Sequence, residues 1–231
     1  MLEAARVQNE LTKSMTKSNE VGAVVLCGGK SKRMGFDKWQ LPVGPVSLLV
    51  HIVNELSQRC SPIAVSIASE PVSLPTGMPV EVHEVADQFK DAGPLEGIRA
   101  SLEFLESRCE YAFVTACDVP HINTAVIDCL QHNIGDAEAV IPFHEARLFG
   151  MTSLLKTSAH GKIMELIQAK RLRVSYLADA LQCVRLPVES LKQVDPQLLS
   201  LTNINTPDDY FRFLDDQGLG CDESTRKKIL G

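Results

Sequence analysis

The chain has 231 residues, enough for one large domain or two small ones and for a core that hides roughly 70% of the unfolded surface. Its net charge is −6 and its aromatic share is 5%, and no basic stripe is dense enough for a nucleic-acid face. Seven cysteines, an odd number without a C-x-x-C pair, argue against a disulfide framework or a zinc site and for reduced thiols in a cytoplasmic protein; no apolar run approaches the roughly 18 residues of a membrane span.

The first twenty residues are polar, mixed in charge and without an apolar signal core, so 1–19 is expected to be a flexible extension. Residues 21–26 are apolar and predict a buried first strand. That strand runs straight into Leu26-Cys-Gly-Gly-Lys-Ser-Lys-Arg-Met-Gly-Phe-Asp-Lys38, a cationic loop rich in glycine. Val46, Leu49, Val50, Ile52, Val53 and Leu56 fall near helical spacing and predict a helix over 45–59. Strands are predicted at 62–68 and 80–83. Pro94 opens a helix with Ile98, Leu102 and Leu105 on one face.

Residues 111–116 form the most strand-like run and end in Cys117-Asp118-Val119-Pro120. A helix is expected over 124–132, strands over 139–143 and 148–155, helices over 156–168 and 174–181, and a short strand over 182–187. Thr206, followed by Pro207, Asp208 and Asp209, marks a helix start: a capping residue, proline at the first position, acids in the first turn. Strands alternating with helices imply an α/β fold, a mostly parallel central sheet covered by helices on both faces. Residues 20–214 read as one domain and 215–231 as a loosely held tail.

Ligands of open α/β sheets sit beyond the carboxyl ends of the strands, and three motifs lie at such ends. In the first, Gly28 and Gly29 let backbone N–H groups approach phosphate oxygens, and Lys30, Lys32, Arg33 and Lys38 neutralise charge. The loop has neither the P-loop ending nor the G-x-G-x-x-G spacing, and taken alone it also reads as a surface turn. The second is Asp87-Gln-Phe-Lys-Asp-Ala-Gly93-Pro-Leu-Glu-Gly97, where Gly97 allows a close approach and Asp91 and Glu96 read as solvated charges. The third places Asp118 at a strand tip, either as a hard-oxygen ligand for Mg²⁺ beside substrate phosphates or as the cap of a turn. Asn203, Asn205 and Thr206 either cap a helix or bind a ligand. Lys170, Arg171 and Arg173 form a basic cluster, either a solvated face or an anion clamp. His121 and His144 lie near the site mouth but read as structural.

The pattern Leu-x-Gly-Gly-x-Ser-x-Arg-Met-Gly-x-Asp-Lys resembles the signature of molybdenum cofactor guanylyltransferases and, more broadly, the sugar-phosphate nucleotidyltransferase superfamily. Gly-Pro-Leu-x-Gly at 93–97, Asn-x-Asn-Thr-Pro at 203–207 and, loosely, Ala-Lys-Arg-Leu-Arg-Val at 169–174 extend the resemblance over about 21–212. It implies a single-domain, Rossmann-like nucleotidyltransferase fold. It further implies that Leu26, Cys27 and Gly28 touch base and ribose and that Gly29 and Lys38 wrap the triphosphate. Ser66 stands where relatives often carry Asn near the base, Asp87 and Gly93 contact the nucleotide, and Asp118 holds Mg²⁺. Arg173, Asn203 and Asn205 would hold the acceptor, and Lys38, Arg33 and Asp118 would carry catalysis.

The implied reaction joins GMP from GTP to the terminal phosphate of molybdopterin and releases pyrophosphate. Gly28 favours guanine, because the cytidylyl relatives look like Leu-Ala-Ala-Gly there. The 146–153 segment departs from the usual His-Pro or Gln-Pro version. The alternatives are a cytidylyltransferase for the same cofactor, a sugar-phosphate nucleotidyltransferase, or a nucleotide-binding adaptor without turnover. Implied protein partners are molybdenum insertion proteins and molybdoenzyme chaperones, with no nucleic acid and no membrane.

Overall fold

Every side chain of β1 (Val21–Leu26) is buried, as six consecutive residues without a charge or hydroxyl require of a strand covered on both faces. The computed structural model describes residues 21–27, 37–67, 75, 78, 82–89 and 91–230. Strands β4 (Cys60–Ile67) and β6 (Tyr111–Ala116) pair with β1 in parallel on either side, and β5 (Val82–Ala86) adds in parallel to β4. Strand β9 (Ser153–Lys156) runs antiparallel between β6 and β7 (Ala139–His144). Beyond β7 lies β10 (Cys183–Pro187), parallel to it, and the short β8 (Arg147–Leu148) turns back on β7. The order is β10-β7-β9-β6-β1-β4-β5, eight strands with β8. The sheet is mostly parallel and helices cover both faces, in line with the sequence reading.

Alternation along β1 assigns the two cores. Val21, Ala23 and Val25 face α1 (Leu48–Ser57), α3 (Thr124–Asn133) and α6 (Pro207–Asp216). Val24 and Leu26 face α2 (Pro94–Leu105), α4 (His160–Gln168) and α5 (Leu177–Ala180). Each fully buried Leu, Ile or Val contributes roughly 1.5–3 kcal/mol, so both layers are firmly held.

Local physics corrects several boundaries. The predicted helix over 45–59 starts later, because β2 (Pro42–Val43) and β3 (Val46–Ser47) form a hairpin around Gly44 at φ 58°, and Ser47 then caps α1 through its side chain. The predicted strand over 148–155 is two strands, because the Ser153 hydroxyl donates to Gly150 O in a turn and Thr152 donates to Ser200 O. The helix expected from 156 begins at His160, since Lys156 completes β9 and the Thr157 hydroxyl donates to Cys109 O. Strand β5 runs to Ala86, and residues 80 and 81 of the predicted third strand lie outside the described residues. Within 215–231, α7 (Glu223–Leu230) forms and Ile229 is buried against the α1 face.

Candidate active site at the carboxyl edge of the sheet

The tips of β1 and β6 remain in register beyond their last paired residues, with Cys117 N donating to Leu26 O at 3.0 Å. The next residue, Asp118, accepts from Ile204 N at 2.7 Å through its carbonyl, which draws the 203–206 segment onto the strand tip. Lys38 opens a short 3-10 turn, Lys38–Gln40, at the end of the glycine-rich loop. Its ammonium donates to Ile204 O at 2.6 Å and to Asn205 Oδ1 at 3.2 Å, and it pairs with Asp118 Oδ2 at 3.6 Å. Three segments distant in sequence thus meet at one ammonium. The side chains of Lys38 and Asp118 are 19% and 29% exposed, a partly desolvated pair still open to a ligand.

The 203–206 segment is held from behind. Thr206 caps α6 in a reciprocal capping box with Asp209, whose carboxylate also accepts from Asn205 N and Thr206 N. Burial acts to raise the Asp209 carboxyl, but these N–H and hydroxyl donors outweigh it and bring it below the usual carboxylate range. Capping and site formation at Thr206 are therefore one event.

A second group lies one strand away. Ser66, buried near the tip of β4, accepts Cys27 N on its carbonyl at 2.9 Å and donates its hydroxyl to Asp87 Oδ1 at 3.3 Å. Burial raises the Asp87 carboxyl above the usual range, and the Ser66 hydrogen bond acts the other way. Gly93 adopts φ 65°, a conformation that suits glycine, and its carbonyl accepts from Glu96 N as α2 begins. A Cβ on Gly97 would press into Ser66 Oγ and lie 2.9 Å from Leu26 Cδ2, so the close approach that this glycine permits is to β1 and β4.

Glu96 was expected to be solvated; it is instead fully buried. Both its carboxylate oxygens take Arg99, at 2.7 and 2.8 Å, and Oε1 also accepts Gln88 N at 3.0 Å. Arg99 is held also by Glu103, and its guanidinium lies over the Phe89 ring. The i, i+3 and i+4 spacing of Glu96, Arg99 and Glu103 was the available signal. Asp91 is exposed.

Arg173 is exposed and precedes Val174, which fills the space above Gly150. It sits on the same edge, toward β7, with Arg171 stacked on Tyr176 and Arg147 on Phe149. Asn203 is half-buried on the Asp118-bound segment. Asn205, expected to hold the acceptor, shares the Lys38 ammonium with Asp118 and so lies beside the nucleotide motifs. Gly28, Gly29, Lys30, Lys32, Arg33 and the 1–19 extension lie outside the described residues. His121, near this edge, and His51 both pack edge-on against Phe213 and line a polar cleft of about 390 Å³ with Asp195 and Glu55.

The donor chemistry fits a hard divalent cation. Asp118 and Asn205 present oxygens, and the Lys38 ammonium already draws three oxygen donors to one point. Among the described residues no three His, Cys, Asp or Glu side chains group as metal ligands, so an ion here would take one carboxylate and complete its shell with phosphates and water. Among the described residues no helix is long and apolar enough to cross a membrane.

A mostly parallel sheet whose strand tips gather a lysine, an aspartate and an asparagine, in a chain whose first strand is followed in sequence by a glycine-rich cationic segment, defines a nucleotidyl-transferring α/β protein. The MobA-like NTP transferase domain matches residues 23–183, and the chain belongs to that family. A relative from Mycobacterium avium named probable molybdenum cofactor guanylyltransferase is 34% identical over 84% of this chain and 95% of that protein. Another of the same name from Methanosarcina acetivorans is 31% identical over 87% and 92%. The crystal structure of molybdopterin-guanine dinucleotide biosynthesis protein A from Archaeoglobus fulgidus shares the fold, with a TM-score of 0.73 at 24% identity over 86% of this chain and 99% of that one.

Proposed function

We propose that this chain transfers GMP from GTP to the terminal phosphate of molybdopterin, giving molybdopterin guanine dinucleotide and pyrophosphate. The observation that carries this reading is the meeting of Lys38, Asp118 and Asn205 at one point on the carboxyl edge. The names of the full-length relatives support the choice of donor and acceptor.

The acceptor phosphate is ionised at neutral pH, so the protein need not abstract a proton. Catalysis then rests on positioning and on stabilising charge. Lys38 neutralises charge that grows on the departing pyrophosphate, assisted by Arg33, while Gly28 and Gly29 bring backbone N–H groups to the phosphates. Asp118, with Asn205 beside it, would hold Mg²⁺, which would supply positive charge to offset that of the phosphates. Leu26, Cys27, Ser66, Asp87 and Gly93 shape the nucleoside end. Arg173 takes the acceptor phosphate, and the Asn203–Asn205 segment stands where donor and acceptor meet. The product would pass in the cytoplasm to molybdenum insertion proteins or molybdoenzyme chaperones.

The test is pyrophosphate release with each of the four nucleoside triphosphates, with and without molybdopterin and Mg²⁺. Release that needs GTP and molybdopterin together is expected. A preference for CTP overturns the guanylyl assignment, and binding without turnover makes the chain an adaptor.

A further inference from the structure

Two thiols stand side by side at the entrance to this site. Cys27 follows β1 and Cys117 follows β6, one step beyond the registered pair Leu26 and Ala116. Cys117 N donates to Leu26 O, so the parallel ladder continues to them. In-register neighbours on parallel strands point to the same face, and both cysteines pack in the core facing α1. Adjacent strands are about 4.8 Å apart, within the Cα separation a disulfide spans. Cys117 is 5% exposed, Cys27 is half-buried, and both are free thiols.

We propose that Cys27 and Cys117 form a reversible disulfide, and that this bond turns the nucleotide site off under oxidation. The consequence for GTP rests on the function proposed above; the bond itself does not. A hydroperoxide reaches Cys27 first. Its O–O bond breaks, one oxygen goes to the Cys27 sulfur as a sulfenic acid, and water or an alcohol leaves. The Cys117 sulfur then attacks the Cys27 sulfur, the S–O bond breaks, and the Cys117 proton departs with hydroxide as water. Two electrons pass from the thiol pair to the peroxide, and a dithiol reductant returns them.

The bond acts through what the two tips carry. To form the bond the two sulfurs must close to about 2.05 Å. That pulls the tip of β6, with Asp118 and the Ile204 it binds, toward the tip of β1 and away from its present fit to Lys38. A site that needs Lys38, Asp118 and Asn205 to converge within tenths of an ångström does not tolerate that shift.

The test treats the reduced protein with hydrogen peroxide and reads two things: the peptide map, and the thermal shift given by MgGTP. A cross-linked peptide pair holding Cys27 and Cys117 is expected, with GTP affinity weakened by about tenfold or more and restored by dithiothreitol. Cys117→Ser should abolish the cross-link and keep its own GTP shift unchanged by peroxide. Saturating MgGTP should slow cross-linking. Mapping of the bond to the buried pair Cys60 and Cys109, sulfinic acid at Cys27 without a cross-link, or a cross-linked protein with its full GTP shift would each overturn the proposal. If Cys117→Ser does not fold, Cys27→Ser gives the same peptide-map readout. A protein that cross-links at 27 and 117 yet binds no nucleotide in its reduced state refutes the function, not the bond.

Discussion

Gly97→Ala is the smallest change that tests how the proposed nucleoside end of the site is built. The new methyl would meet Leu26 Cδ2 at 2.9 Å and Ser66 Cβ at 3.2 Å, besides pressing on Ser66 Oγ. Carbon contacts are comfortable at about 3.5–4.0 Å, so about 0.6 Å must be found at Leu26 alone. Leu26 and Ser66 are both buried at the tips of neighbouring strands, 7% and 4% exposed, and have little room to yield. Overpacking of this kind costs roughly 1–3 kcal/mol, and the better helix propensity of alanine returns up to about 1 kcal/mol. The net loss is up to about 2 kcal/mol, a fall in Tm of at most about 8 °C for a chain of this size. The easiest relief turns the Ser66 hydroxyl away and gives up its bond to Asp87. GTP affinity should therefore fall as well, by about tenfold, if the lost bond and the displaced Asp87 together are worth about 1.4 kcal/mol. Scanning calorimetry and GTP titration of Gly97→Ala, Ser66→Ala and the double variant supply the assay. The double variant should lose less than the sum of the singles, because the methyl and the hydroxyl compete for one space. Strictly additive losses, or a Gly97→Ala protein with unchanged Tm and unchanged GTP affinity, would refute the reasoning.

Asp118→Asn keeps the shape of the side chain and removes its charge; turnover should drop by about 100-fold or more with little change in Tm, and a loss of only a few-fold reduces Asp118 to a turn cap. Glu96→Gln leaves the Arg99 guanidinium with Glu103 as its charged partner and should cost roughly 3–5 kcal/mol by denaturant titration, and a loss below about 1 kcal/mol would mean that Glu103 alone satisfies Arg99. Burial lowers His51 and His121 below their ordinary value of 6.5, against the opposing pull of Glu55 on His51 and of Asp216 and Asp195 on His121. The unfolded chain then takes up protons first, so the contribution of these residues is full above 6.5 and is lost as pH falls toward the lowered folded values. His51→Asn should flatten the decline in Tm between about pH 8 and about pH 5, and a Tm that rises on acidification would contradict the sign.

What was legible followed from strong local patterns. The apolar runs at 21–26 and 111–116 have no alternative to a doubly covered strand, and Pro94 and Thr206 announce helices by chemistry that needs no tertiary help. That Asp118 and Lys38 would lie near one another was legible because motifs at strand ends converge at one edge of a parallel sheet. What escaped depended on partners remote in sequence. No local feature of Glu96 says that Gln88 N will fold over it, so its charge read as solvated. Asn205 lies late in the chain, and only the Ile204 to Asp118 backbone bond brings it beside Lys38 at the tip of β6, which no local feature of 203–207 announces. The break between β8 and β9 rests on Thr152 reaching Ser200 and Gly150 receiving Val174, neither of which a run of apolar letters contains.

The one reversed inner strand, β9, changes the electrical character of the site edge. Helices α1, α2 and α3 each lead into a strand that starts at the amino edge, so their N-terminal ends open on the carboxyl edge with positive partial charge. Strand β9 ends instead beside Tyr111 at the amino edge, where His160 of α4 meets Glu106. Helix α4 therefore runs outward with the parallel strands and brings its negative end to the carboxyl edge. Unaided, that end would repel a phosphate. Lys170, Arg171 and Arg173 follow it directly, and their cations offset the partial charge of the last carbonyls where it is greatest. The β7 side of the edge thus relies on side-chain cations for the positive field that helix N-termini lend to the β1 and β4 side, and its hold on anions should weaken faster with added salt.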